Sequence, residues 1–398
     1  MSDLPKGWTE VALGEVVVEA RPGFASGDDL DQGLFQFRMN NLDREGRFDF
    51  SKKRRVTFDP DKTERFLLHP GDVLFNATNS PEMVGKSAFF NGHEEPAVFS
   101  NHFLRLRPGP ALDGRYLARW LQLLFRRGVF AAGCRKWVNQ ATYGKDSLLG
   151  LRIPLPPLEE QRRIAAILDK ADELRAQRRA ALEQLEALIQ AIFLDMFGDP
   201  AFNPRRWQTA PLSVLADCIN DCPHSTPQWT GKGVICVRTS NLTTGDWDWS
   251  ETRHVSEETY VSRSARGELR PGDLVLSREG TVGVAAIVPP NLRMCMGQRL
   301  VQVRPNRDLI QPEVLLSFLL LALSPLAIRR LMVGSTAKHL NVRDLKTLPV
   351  FLLPADMQAR FAAAAQAVVL QKTSQIESRE LSAHLVTSLQ SRAFRGEL

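Results

Sequence analysis

The sequence predicts an α+β fold: two repeated mixed α/β domains separated by a pair of long antiparallel coiled-coil helices. Three observations carry that expectation. The chain repeats itself at an offset that drifts only between 197 and 201 residues. Each copy carries the same turn and strand signals, and each ends on a long stretch free of proline and glycine. The predicted boundaries are 1–157 for the first domain, 158–198 for the first helix, 199–354 for the second domain and 355–398 for the second helix.

The repeat runs in unbroken order. Trp8 and Leu13 match Trp207 and Leu212, and Phe37-Arg-Met-Asn-Asn-Leu42 matches Val237-Arg-Thr-Ser-Asn-Leu242. Leu68-His-Pro-Gly-Asp-Val-Leu74 matches Leu269-Arg-Pro-Gly-Asp-Leu-Val275, and Asn101-His-Phe-Leu-Arg-Leu-Arg-Pro108 matches Gln298-Arg-Leu-Val-Gln-Val-Arg-Pro305. Pro157-Leu-Glu-Glu-Gln161 matches Pro354-Ala-Asp-Met-Gln358. Pro-Gly-Asp between apolar runs is a turn signal, with proline fixing φ and glycine taking the position of positive φ. It should lead into a buried strand, VLFNAT in the first copy and LVLS in the second. FLRLRP and LVQVRP read as strands ended by proline, and Tyr116–Phe125 and Val314–Leu323 as apolar helices.

From Leu158 to Phe197 the helix has clear limits, with Pro156-Pro157 before it and Gly198-Asp199-Pro200 after. Glu159 and Glu160 sit at its positive N-terminal end. Ile164, Leu168, Ala171, Leu182, Leu185, Ile189, Ile192 and Met196 step by three and four, a coiled-coil seam interrupted by Arg175 and Arg178. Phe361, Ala365, Val368, Leu381, Leu385 and Leu389 give the second helix its own seam. At 1.5 Å per residue such a helix spans roughly 60 Å, more than one small core needs. Two of them, one after each domain, should pair with each other; core helices or a homodimerising zipper are the alternatives.

Composition narrows the function classes. The longest apolar run, Val314 to Leu323, is far short of the roughly 20 residues that span a bilayer. The opening MSDLPKGWTE shows no basic-then-apolar leader, and five cysteines without regular spacing fit a reduced, cytoplasmic protein. Cys218, Cys222 and His224 lie close together but lack a second ligand pair at zinc-finger spacing, so no metal is expected. The net charge is +6, and its basic excess sits in the two domain-sized blocks, which fits two nucleic-acid-facing surfaces or a merely solvated basic one. There is no glycine-rich nucleotide loop: Arg278-Glu-Gly-Thr-Val-Gly283 lacks the Walker form. Asp59-Pro-Asp-Lys62 reads as a solvated turn, and neither His102 nor His339 has a partnered nucleophile. The chain is therefore expected to be no enzyme but a binding module; a nuclease or methyltransferase acting by itself is the alternative.

The opening LPKGWTEVALGEV, the RMNNL and RTSNL segments, the HPGDVLF and RPGDLVLS turns, and IPLPPLEEQRRIAAILDKAD together resemble the specificity subunit of type I restriction–modification systems. The resemblance covers essentially the whole chain. It implies two target recognition domains gripping two half-sites of double-stranded DNA, with the long helices setting the spacing and binding modification subunits. It implies adenine methyltransferase subunits and ATP-dependent nuclease subunits as partners, with S-adenosylmethionine, ATP and Mg on those subunits and no cofactor in this chain. The second pre-helix segment, LPADMQARF, departs from the pattern in lacking the double proline and Glu-Glu.

Base readers should be polar side chains on loops between strands. The candidates in the first domain are Arg38, Asn40, Asn41, Thr78, Asn79, Asn101, His102, Lys136, Asn139 and Gln140. In the second they are Arg238, Ser240, Asn241, Arg278, Glu279, Gln298, Arg299, Lys338 and His339. Asn41 and Asn241 recur in both copies and are expected to cap a turn. Thr78-Asn79 against Arg278-Glu279, and Lys136–Gln140 against Lys338-His339, differ between copies and are expected to carry specificity. Arg54 and Arg55 are expected on phosphates. Arg162, Arg163, Arg175, Arg178 and Arg179 on the first long helix are the candidate partner-binding positions.

Overall fold

The computed structural model describes residues 4–57, 59, 64–137, 140–324 and 340–398, without the side chains of 186, 379–384 and 387. The chain forms two compact units, Met1–Arg178 with Ser378–Leu398, and Arg179–Glu377. Each is described in turn.

In the first unit a four-stranded antiparallel sheet runs in the order Val17–Pro22, Phe103–Pro108, Val73–Asn76, Ser87–Phe89. Val73, Phe75, Leu104 and Leu106 face a core closed by the helix Gly114–Arg126. Leu74, Ala88 and Phe103 face a second core with Phe35, Phe37 and Phe99. Covered on both faces, Val73–Asn76 is buried at every position, which is why its first three residues are all apolar. The second core sits on a smaller sheet, where Leu34–Phe37 pairs parallel with Ala97–Phe99 and antiparallel with Arg55–Val56.

The second unit repeats this plan. Its four-stranded sheet runs Ala216–Asp221, Leu300–Pro305, Leu274–Ser277, Ala285–Ile287. Val234–Val237 pairs parallel with Met294–Met296, as its counterpart does in the first unit. The helix Pro312–Ala322 closes the core, with Phe318 and Leu315 fully or almost fully buried.

The repeated motifs have repeated physical roles. Gly71 and Gly272 of the two Pro-Gly-Asp turns stand at φ +104° and +90°. The aspartate after each is 2% exposed and held by an arginine of the adjacent strand: Asp72 by Arg107 Nε at 2.8 Å, Asp273 by Arg304 Nε at 2.8 Å. Gln161 donates to the carbonyls of Ala111 and Pro156 and accepts from the Asp113 amide. Gln358 does the same with Leu309, Leu353 and Gln311. Each glutamine thus ties the start of a long helix to the globular part before it.

The two long helices run Leu158–Phe197 and Ala355–Ala393. In the first unit, Ile164 and Leu168 near the start of one pack with Leu389, Ala393 and Phe394 at the end of the other. The Phe394 ring lies 5.0 Å from Tyr116, and the backbone at Gly396 approaches Pro5 closely. In the second unit, Phe193 and Phe197 pack on Phe361, with ring centroids 5.6 and 5.7 Å apart. The helices are therefore antiparallel. The expected seam needs one correction: Leu385 is 57% exposed, and Val386 is the buried residue there at 4%. The Leu381 side chain lies outside what the structure describes.

Candidate nucleic-acid interface

In the first unit, a 3₁₀ turn at Met39–Asn41 follows the strand Leu34–Phe37. Asn41 builds it: its Oδ1 accepts from the Arg38 amide at 2.9 Å, and its Nδ2 donates to the carbonyls of Asp49 and Lys52. Asn241 makes the same bonds to Arg238, Asp248 and Glu251. Both asparagines are buried, so they are caps, as their recurrence suggests. Beneath the first turn, Lys86 is 2% exposed and donates to the Met39 and Leu42 carbonyls. Burial pulls its ammonium down to about 8. The register of the paired strands places Val284 at the corresponding position of the second unit.

This turn borders an open cleft of about 480 Å³ lined by Arg38, Asn40, Arg54, Ser100, Asn101 and His102, with Ser26 and Gln36 deeper in. Five candidates distant in sequence are thereby brought together. The His102 carbonyl accepts from the Ala77 and Thr78 amides, joining the cleft to a second group. There Thr78–Asn79 pairs with Ala141–Thr142, which pairs with Arg135–Lys136. The Thr78 and Thr142 hydroxyls are 3.1 Å apart, and the Trp137 amide donates to the Gln140 carbonyl at 2.7 Å. Thr78, Asn79, Lys136 and Gln140 thus share one small sheet and its turn. Asn139 lies outside the described residues.

Not every candidate is free to reach a ligand. Arg54 donates to the carbonyls of Asp28 and Ser26, although it still lines the cleft. Arg55 turns away to Glu95 at 2.6 Å and the Gly33 carbonyl at 2.8 Å. Arg55, expected on a phosphate, is thus paired with a carboxylate in this structure. Burial lowers the His102 imidazole from its ordinary value, which favours its neutral form.

The second unit places Arg238 and Ser240 at the same turn, and Gln298 and Arg299 where the first has Asn101 and His102. Gln298 donates to the His224 carbonyl. Arg299, exposed and at φ +66°, faces Glu279 at 3.3 Å. Arg278 is the structural counterpart of Ala77 rather than Thr78. Its amide donates to the Arg299 carbonyl as that of Ala77 does to His102, so the expected pairing shifts by one residue. Its guanidinium lies 3.4 Å from Asp221 and 3.5 Å from Glu279. Lys338 and His339 lie outside the described residues. Among the described residues no cluster of metal-ligating side chains occurs; Cys222 is buried and receives the Leu300 amide, and His224 faces Asp221.

On the first long helix, Arg163 pairs with Glu160 at 2.7 Å and reaches the Leu398 carbonyl, and Arg175 pairs with Asp172 at 3.3 Å. Arg178 donates to the Ser378 carbonyl. Arg162 and Arg179 are exposed. Sequence reasoning missed Ser26, Gln36 and Ser100 in the cleft, and Trp137, which is 70% exposed beside exposed Arg135 and Lys136. A tryptophan inside RKWVNQ, a polar stretch with no core to fill, was the available signal.

Residues 5–185 match the model of the type I restriction modification DNA specificity domain. The chain is 22% identical over 386 residues to a putative type I restriction enzyme MjaX specificity subunit of Methanocaldococcus jannaschii, covering 92% of this chain and 88% of that one. It is 25% identical to the type I restriction enzyme EcoKI specificity subunit of Escherichia coli K12, over 99% of this chain and 90% of the relative. A solved structure from work on complex assembly and conformational transition of the type I R-M system aligns over 100% of both chains, with a TM-score of 0.62 at 22% identity, and shares the fold. With that family model on residues 5–185, relatives along its full length and the duplicated plan described above, the chain is similar throughout to the specificity subunits of type I restriction–modification systems.

Proposed function

We propose that this chain recognises a bipartite, asymmetric DNA target, each unit reading one half-site, and contributes recognition rather than catalysis. One observation carries this reading. Two units share buried framework residues, Asn41 with Asn241 and Gln161 with Gln358, while the residues around the cleft differ, Asn101-His102 against Gln298-Arg299. A shared frame with unlike polar edges suits two readers of unlike sequence. The long helices hold adenine methyltransferase subunits, and restriction subunits join them; S-adenosylmethionine, ATP and Mg belong to those partners. The setting is the cytoplasm, and no described helix is long and apolar enough to cross a membrane.

Methylation-site mapping of the assembled complex tests it. Replacing residues 210–345 with the corresponding part of a related subunit should change one half-site and keep the spacer. Lengthening the first long helix by one turn, about 5.4 Å, should shift the preferred spacer by one or two base pairs of roughly 3.4 Å each. A swap that changed both half-sites at once would refute the two-reader arrangement.

A further inference from the structure

Arg38 and Arg238 occupy equivalent places at the two turns. Each stands immediately before the 3₁₀ turn with nearly identical backbone angles, φ −120° and ψ 167° or 168°. Each is fixed there by the buried asparagine that accepts its amide. In each, the guanidinium Nε is buried without a hydrogen-bond partner among the described residues. The Arg38 guanidinium makes no ion pair among the described residues, and no carboxylate lines its cleft. Arg55, Arg105, Arg107 and Arg119 of the same unit, by contrast, all reach carboxylates. The Ser100 hydroxyl in the same cleft is also buried and unpartnered. Arg238 Nη2 donates to the Glu251 carbonyl at 3.2 Å and lies 3.6 Å from the Glu251 carboxylate, which is 70% exposed. A surface pair of this kind is worth little and yields readily to a competing anion.

We propose that Arg38 and Arg238 are equivalent anchors for a DNA backbone phosphate, one in each unit. A guanidinium held by a rigid turn, lining an open cleft in the first unit and without a buried carboxylate partner in either, suits a phosphodiester oxygen. The logic of the repeat argues against a base-reading role: a residue identical in two units that read unlike half-sites does not account for the difference between them, so it positions. The neighbouring side chains, which differ, are left to read. The assignment rests on the DNA-recognition reading above and adds a division of labour within each unit.

The test uses the full chain, with Arg38→Gln, Arg238→Gln, the double variant and the two Arg→Lys variants. Binding is followed across a salt series on a duplex carrying the mapped target and on a scrambled duplex. Each Gln substitution should lower the slope of log affinity against log salt by about 0.9, and the double variant by about 1.8. Both duplexes should weaken by the same factor, and each Lys variant should keep the slope. An unchanged slope would overturn the assignment, as would a loss confined to the target duplex, which marks a base reader. A loss shared by the Lys variants together with a lowered melting temperature would mark a structural role instead and overturn it too. If the unsubstituted chain bound both duplexes alike, the specificity reading would fail while the slope still decided the phosphate contact.

Discussion

Asn41 and Asn241 each satisfy three backbone groups from a fully buried position, and a methyl group satisfies none. Asn41→Ala or Asn241→Ala should cost about 2–4 kcal/mol by urea denaturation. Lys86 gives a pH signature. Its ammonium is held down from 10.5 to about 8, chiefly by burial, partly offset by Asp43. Between those values the unfolded chain binds more protons than the folded one, so this residue makes stability rise as pH rises from about 8 to 10.5. Lys86→Met should lack that increment when denaturation midpoints at either end of the window are compared. The asparagine roles were legible because the residue recurs in both copies beside a turn. The lysine was not, since nothing in the local sequence shows that its strand is covered on both faces.

At the scale of elements, the boundaries of the long helices and the strands after Pro-Gly-Asp were written plainly, because proline, positive-φ glycine and an N-terminal glutamate pair have stereochemical or electrostatic roles that context rarely overrides. Which stripe of the second long helix faces inward was less plain. It carries Val369, Leu370 and Leu385 exposed alongside Phe361, Ala365, Val368 and Val386 buried, so the three-and-four spacing fits more than one stripe. The structure makes the distinction testable. Val386→Asp should cost about 3 kcal/mol or more, as an unpartnered buried charge does. Leu385→Asp should stay within about 0.5 kcal/mol. Thermal melts of the two neighbours would separate them, and equal losses would contradict the observed packing. The one-residue shift of Arg278 onto Ala77 was hidden for a related reason. An arginine replaces a buried alanine there only because Asp221 and Glu279 sit beside it, a compensation dispersed over the sequence.

At the scale of the molecule, the duplication was the most legible feature, and the two-unit division the least. Sequence order suggests a domain, then a helix, twice over. The contacts instead give the first unit residues from both ends of the numbering, since Ala393 and Phe394 complete the core around Tyr116 and Ile164. This has a consequence for the order of events on the ribosome. Domains are usually finished in the order they are made. Here residues 179–377 form an uninterrupted unit that can close first, while the first unit waits with Tyr116, Leu117 and Ile164 uncovered until residues 378–398 arrive. Removing 378–398 should therefore expose the earliest-made part of the chain to limited proteolysis and leave 179–377 the better protected. During synthesis, the unit begun first is the one most in need of a chaperone.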